Sequence, residues 1–235
     1  MAAKNIIKVY TTEITEPWSE DVFGRLMEII PIELREKVLE ENGWEDQHGS
    51  LARKLMLWHG MNEIGANMND LFDCLEFTKT GKPFIIDAPH FNLANDGAVA
   101  VCAISETSLL GIDIEWLKPL NLSDFRDKMT YLEWREIYSH IIPLRRFYEF
   151  WTIKESVIKA DGELAHKDLK EIYIQPDIAF CNAKNWYIYP VEVEFYGYVS
   201  FLVSSNPHAD VEVIEIDIPS IFLGTDMKNM SSSID

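Results

Sequence analysis

The stretch that most limits what this chain can become is Gly111-Ile112-Asp113-Ile114-Glu115. It is short, β-branched and strictly alternating, so it reads as a strand with one apolar face and one carboxylate face. Asp113 and Glu115 stand two residues apart, and the two-residue period of a strand puts them on the same side. Two adjacent anions repel, so holding them together requires a cation, a shared proton or open water. A divalent ion on the pair and a solvated strand edge are both compatible with the residues alone.

With 235 residues and 47% hydrophobic content, the chain can bury a substantial core. No apolar run approaches the ~20 residues of a membrane span. The N-terminus shows no apolar leader with a small-residue cleavage site. Cys74, Cys102 and Cys181 lie far apart, are odd in number and form no CxxC, which reads as reduced thiols in a cytoplasmic protein. Asp and Glu number 39 against 21 Lys and Arg, a formal charge of −18. That balance argues against a nucleic-acid binder and against an anionic membrane surface, since both need clustered cations. A negatively charged substrate would need a local cationic pocket.

In chain order, Ile6–Ile14 alternates as an opening strand. Ser19 caps a helix over about Glu20–Ile30 that Pro31 ends, and a second helix over Ile32–Glu41 stops at Gly43. This second helix carries Arg35 and Lys37, whose plain reading is a solvated face. Ser50–Met61 is helical with Leu51, Leu55 and Trp58 as core stripe, which leaves Arg53 and Lys54 exposed. Leu75–Ile86 is two strand pieces around Thr80-Gly81-Lys82-Pro83, a tight turn that holds one cation at its tip. Phe91–Ala94 and Ala98–Ile104 form a hairpin through Asn95-Asp96-Gly97, and Gly111–Glu115 then reads as the last strand of an antiparallel meander.

A helical region from Ser123 to Ser139 contains Glu133. The next helix, Leu144–Ala160, is closed by Gly162 and has Phe147, Trp151, Ile158 and either Phe150 or Val157 as its stripe, with Lys154, Glu155 and Lys159 at its edge. Glu155 and Lys159, four apart, would by themselves be a surface ion pair. Ile172–Gln175, Trp186–Val193, Phe195–Ser204 and Val211–Ile218 suggest one antiparallel sheet for the second half. Two halves, 1–106 and 107–224, each with helices on a small antiparallel sheet, give an α+β chain with a flexible polar tail at 225–235.

Four pieces recur in a known order: Gly81-Lys82-Pro83, Phe91-Asn92-Leu93, Gly111–Glu115, and Trp151-Thr152-Ile153-Lys154-Glu155-Ser156 with Lys159 and Gly162. As an ordered set they resemble the 4′-phosphopantetheinyl transferase superfamily in its larger, surfactin-synthetase-activating form. The resemblance implies a pseudo-twofold α+β chain of two similar subdomains with the active site in the cleft between them. It also implies transfer of the phosphopantetheine arm of coenzyme A to a serine of an acyl or peptidyl carrier protein, in fatty-acid or secondary-metabolite synthesis. On the same resemblance, Asp113, Glu115 and Glu133 hold Mg²⁺, an ion that takes a few carboxylates along with water and phosphate oxygens. Glu155 deprotonates the serine as general base, and Lys159 meets a phosphate oxygen from the same helix. Lys37, Arg53, Lys82, Asn95 and Lys154 are then nucleotide or phosphate contacts. An internal pseudo-repeat removes the need for a second chain, so a monomer is expected.

The chain departs from that family at the nucleotide end. Ala94-Asn95-Asp96 replaces the usual Ser-His-Ser, so Asn95 stands where a His contacts the 3′-phosphate of coenzyme A and supplies no charge. Gly49 stands where the family has an Arg on the same phosphate, with Arg53 one turn further on. Asp161-Gly162-Glu163-Leu164 is shorter and more acidic than the family's Gly-Lys-Gly-Leu stretch. Each change removes positive charge, and two readings stay open: altered donor choice, such as 3′-dephospho-coenzyme A, or cover of the phosphate by other cations. A non-catalytic relative that binds carrier proteins and a metal-dependent phosphohydrolase are the rival functional readings.

Overall fold

A computed structural model of the chain describes residues 5–66, 71–163 and 168–224. Leu164 and the tail from Thr225 lie outside the described residues. The chain opens with β1 (Ile6–Glu13). Ser19 caps α1 (Glu20–Met27) by accepting from the Val22 amide, and Glu20 and Asp21 sit in the first turn, where the helix dipole favours anions. There follow α2 (Ile32–Leu39), α3 (Trp44–Glu63), a short hairpin of β2 (Glu76–Phe77) and β3 (Pro83–Phe84), and a longer one of β4 (His90–Asp96) and β5 (Val99–Ser105). The acidic strand is β6 (Leu110–Trp116). Then come α4 (Tyr131–Ser139) and α5 (Pro143–Asp161), which Gly162 ends in a left-handed conformation at φ 68°. The chain continues through β7 (Tyr173–Gln175), β8 (Ile178–Cys181), β9 (Lys184–Pro190), β10 (Tyr198–Ser204), β11 (Asp210–Glu215) and α6 (Ile218–Leu223). It is an α+β architecture in which most strand pairs are antiparallel.

The layers run helix, sheet, sheet, helix. One face of the sheet β11-β1-β5-β4 packs Tyr10, Cys102 and Ile104 against Leu51, Leu55 and Met56 of α3. Its other face packs Ile7, Val9 and Val101 against Ile112, Ile114 and Leu202 of the second sheet, β6-β10-β9-β8-β7. The far face of the second sheet carries α5 through Ile153, Val157, Trp186 and Val203. So β6 has its isoleucines in the core between the sheets and its carboxylate face turned toward α5. The alternation of the sequence becomes a physical division of the molecule.

Four expectations are corrected. First, β6 does not extend the meander: β5 already has β1 on one side and β4 on the other, and β6 pairs with β10 instead. Side chains of β4 satisfy amides of β6 across the seam, Asn92 Oδ1 accepting from Ile112 N at 2.9 Å and Asp96 Oδ2 from Trp116 N at 2.8 Å. Second, α3 begins at Trp44 rather than Ser50, because His48 is buried among Trp18, Phe23 and Trp44 and accepts the Trp18 amide. Third, the region from Ser123 is not one helix; Leu122–Phe125 is a 3₁₀ turn and α4 starts afresh with a capping box between Thr130 and Glu133. Fourth, β11 leaves the second sheet and runs parallel to β1, with Val9 opposite Val213. Alternation marks a strand without saying which sheet receives it. Among the described residues no disulfide is formed, and no helix is long and apolar enough to cross a membrane.

Candidate active site

Gly111 decides how closely α5 can lie on β6. A Cβ built there would stand 2.1 Å from the Ser156 carbonyl oxygen and 2.5 Å from the Ala160 nitrogen, so only a glycine admits the helix backbone. The approach brings the row Trp151, Glu155, Lys159, spaced by four along α5, over the row Glu115, Asp113 on β6. Trp151 Nε1 donates to Glu115 Oε1 at 3.1 Å, and Lys159 Nζ donates to Asp113 Oδ1 at 2.6 Å. Lys159 therefore turns to the strand, and the plain Glu155–Lys159 surface pair does not stand.

Asp113 is 5% exposed, and its second oxygen, Oδ2, has no hydrogen-bond partner. Burial raises its carboxyl above the ordinary range and Lys159 pulls it back. Glu115 is pushed up to about 7 by burial, then by the charges of Asp113 and Asp96. Glu155 is raised by burial, then by Asp113. Three acids thus share one field centred on Asp113. Glu133 is not among them: its Oε2 accepts from Lys154 Nζ at 2.9 Å and from the Thr130 amide at 2.7 Å. Among the described residues no three His, Cys, Asp or Glu side chains stand close enough to hold a metal ion as they are. Asp113, Glu115 and Glu155 nevertheless fit a divalent cation, which would give the orphaned Oδ2 a partner and relieve the repulsion that raises its neighbours.

The expected phosphate contacts divide. Lys154 is fully buried and tied to Glu133 and to the Leu169 carbonyl. Lys82 donates to the carbonyls of Leu110 and Ala160 at 3.3 and 2.8 Å, so it pins the β2–β3 hairpin to the seam of β6 and α5. Burial pulls its amine down to about 8. Asn95 turns its amide to the Gly97 carbonyl at 3.3 Å, and Asp96 pairs with Lys118 at 2.7 Å. Lys37 and Arg53, by contrast, line a cavity of about 510 Å³ between α2, α3, the β2–β3 hairpin and β4, together with Lys54, Phe77, Pro83 and Phe91.

The comparisons with known proteins point the same way. Over 163 residues the chain is 30% identical to the 4′-phosphopantetheinyl transferase ffp of Bacillus subtilis, covering 67% of this chain and 71% of that one. The sequence model of the 4′-phosphopantetheinyl transferase superfamily matches residues 109–185, the stretch from β6 to β9. The chain belongs to the 4′-phosphopantetheinyl transferase superfamily. It is 29% identical over the same span to the transferase Sfp of Bacillus subtilis, and 27% identical over 174 residues to the transferase gsp of Aneurinibacillus migulanus. It is an enzyme of that class.

Reading the sequence alone misses what two further residues do. Asn92 was singled out only as part of the Phe91-Asn92-Leu93 motif, with no role of its own, and only the seam shows its side chain holding β6 in place. Lys54 looked exposed, since helical periodicity shows only that it lies off the core stripe; the cavity beside it is made by elements distant in sequence. A signal was available for Lys54 in retrospect: adjacent Arg and Lys in a chain otherwise short of cations.

Proposed function

We propose that this transferase moves the 4′-phosphopantetheine arm of coenzyme A to a serine hydroxyl of an acyl or peptidyl carrier protein with the help of Mg²⁺. The observation that supports it most is the α5 row set against the β6 row, with Lys159 on Asp113 at 2.6 Å and Asp113 Oδ2 unpartnered beside it. Asp113 and Glu115 would hold the ion, with Glu155 facing them, and the ion would supply charge to the pyrophosphate and to the departing bisphosphate. Glu133 then serves through Lys154, as the anchor of α4 against α5. Both rows belong to the half 107–224, and Lys82 of the half 1–106 reaches the same place through the carbonyls of Leu110 and Ala160.

Glu155 takes the serine proton, and burial raises its carboxyl in the direction that makes it a stronger base. The serine oxygen forms a bond to the phosphorus that carries the arm. The bond from that phosphorus to the other bridging oxygen breaks, and its electron pair leaves with adenosine 3′,5′-bisphosphate. Lys159, which donates to Asp113 at 2.6 Å, would give a second N–H to a phosphate oxygen while that charge develops. Incubation with coenzyme A, Mg²⁺ and an apo carrier protein is expected to add the mass of the arm to the carrier. No addition to any of several carriers, with no coenzyme A binding by calorimetry, refutes the reading.

A further inference from the structure

β4 and β6 are the outermost strands of their two sheets, and side chains rather than a backbone ladder join them. The edge of a strand presents amides that must find acceptors. Asn92 Oδ1 takes the Ile112 amide at 2.9 Å, and Asp96 Oδ2 takes the Trp116 amide at 2.8 Å. The two donors stand four apart on β6, as the two acceptors do on β4, so the contacts bracket Asp113 and Glu115.

Asp96 works from a fixed base. A Cβ on Gly49 would stand 2.2 Å from the Gly97 carbonyl oxygen and 3.1 Å from Asn95 Nδ2, so the turn beside Asp96 rests on the backbone of α3. The other oxygen of Asp96, Oδ1, accepts from Lys118 Nζ at 2.7 Å, and that ammonium lies 5.3 Å from the centre of the Trp116 ring. Beyond Glu115 the chain turns sharply: Lys118 N donates to the Trp116 carbonyl at 2.7 Å, and the Tyr148 hydroxyl of α5 donates to the Lys118 carbonyl at 3.1 Å. Glu115 is the penultimate residue of β6, and Trp151 holds its side chain. Asp96 ties the last amide of the strand, one residue beyond Glu115, to a turn seated on α3.

We propose that Asp96 is a positioning residue for the divalent cation: by holding the Trp116 amide it keeps the Glu115 carboxylate at the spacing from Asp113 that the ion needs. This rests on the metal reading given above, with Asp113 and Glu115 as ligands. A carboxylate pair set in place before the ion arrives binds it more tightly than a pair the ion must order. Asp96 acts through the backbone of β6 and not as a ligand, since its two oxygens are committed to Trp116 and Lys118.

Asp96 also adds negative charge near Glu115, so the variants must separate reach from charge. Asp96→Ser keeps an oxygen on a side chain too short to reach the amide. Asp96→Asn keeps the reach and removes the charge, and Lys118→Met removes only the ion pair. Titration with Mn²⁺ alone, followed by the electron paramagnetic resonance signal of the free ion, tests the assignment. Wild type, Asp96→Asn and Lys118→Met are expected to bind with similar affinity, and Asp96→Ser about tenfold more weakly. In transfer assays Asp96→Ser should need correspondingly more Mg²⁺ for half its maximal rate and recover at saturating Mg²⁺, which a variant merely damaged in its fold would not do. Unchanged Mn²⁺ affinity in Asp96→Ser, or an equal loss in Asp96→Asn or Lys118→Met, overturns the assignment while leaving the metal reading intact. A wild type that binds no Mn²⁺ overturns both. If Asp96→Ser fails to fold, Asp96→Asn and hydrogen exchange in the wild type decide: a weakened Asp96→Asn, or a Trp116 amide that exchanges as freely as an unbonded one, overturns the assignment.

Discussion

Lys154 is the residue whose role the tertiary structure changes most, and its replacement by Met separates the two readings. As a phosphate contact, its loss would weaken donor binding and leave stability alone. In the fold it is fully buried, with Nζ 2.9 Å from Glu133 Oε2 and 2.8 Å from the Leu169 carbonyl. Burial pulls the amine down and Glu133 opposes the fall. Removing one partner of a buried ion pair costs about 3–5 kcal/mol, because the other charge is left without compensation. For a chain of this length that corresponds to a fall in Tm of roughly 6–20 °C. Glu133→Gln should cost a similar amount, and Lys154→Met combined with Glu133→Gln should cost about 2 kcal/mol or more less than the sum of the two. Urea unfolding followed by tryptophan fluorescence measures all four corners of the cycle. An additive cycle, with Lys154→Met stable and raised only in its KM for coenzyme A, would refute the buried-anchor argument.

Gly111→Ala places a methyl against backbone atoms of α5, which cannot move aside as a side chain would. It should destabilise by about 1–3 kcal/mol and, by lifting Glu155 and Lys159 off β6, lower kcat more than KM; equal turnover with wild type would contradict the close approach. Asp113→Asn should keep its circular dichroism spectrum and lose transfer by about a hundredfold or more, while EDTA should abolish wild-type transfer and Mg²⁺ restore it. Lys82 gives a pH signature of stability. Its folded-state pKa, about 8, lies below its ordinary 10.5, so above pH 8 the folded state sheds a proton that the unfolded chain retains. Unfolding free energy should therefore rise between pH 8 and 10.5, by about 1–2 kcal/mol after allowance for partial exposure. Lys82→Met should flatten that rise in denaturant titrations across the window.

The pattern of side chains on β6 and α5 was legible because it rests on short-range periodicity. The alternation of Gly111–Glu115 placed both carboxylates on one face, and the spacing of Trp151, Glu155 and Lys159 placed them on one stripe of a helix. Turn chemistry was equally readable: Gly97 and Gly162 are where the hairpin and α5 end. Failures came where a residue's partner lies far away in sequence. Glu133 and Lys154 were read as ligand and phosphate contact, since nothing in their own neighbourhoods announces that they meet 21 positions apart in a buried pair. Lys82 was rightly placed on a turn, but the carbonyls that claim its ammonium belong to β6 and α5.

What the sequence determined by itself is the pattern on each element: the acidic face of β6, the stripe of α5, and a glycine where the two must touch. Those follow from the fixed periods of strand and helix. What only the tertiary structure decided is which of the charged groups face one another. Whether a carboxylate pairs with a lysine or a lysine pairs with a carbonyl depends on burial and distance between distant segments, because Coulomb and desolvation energies are set by neighbours in space. The acidic strand was visible in the sequence; the lysine that closes on Asp113, and the cations that gather at Lys54, were made by the fold.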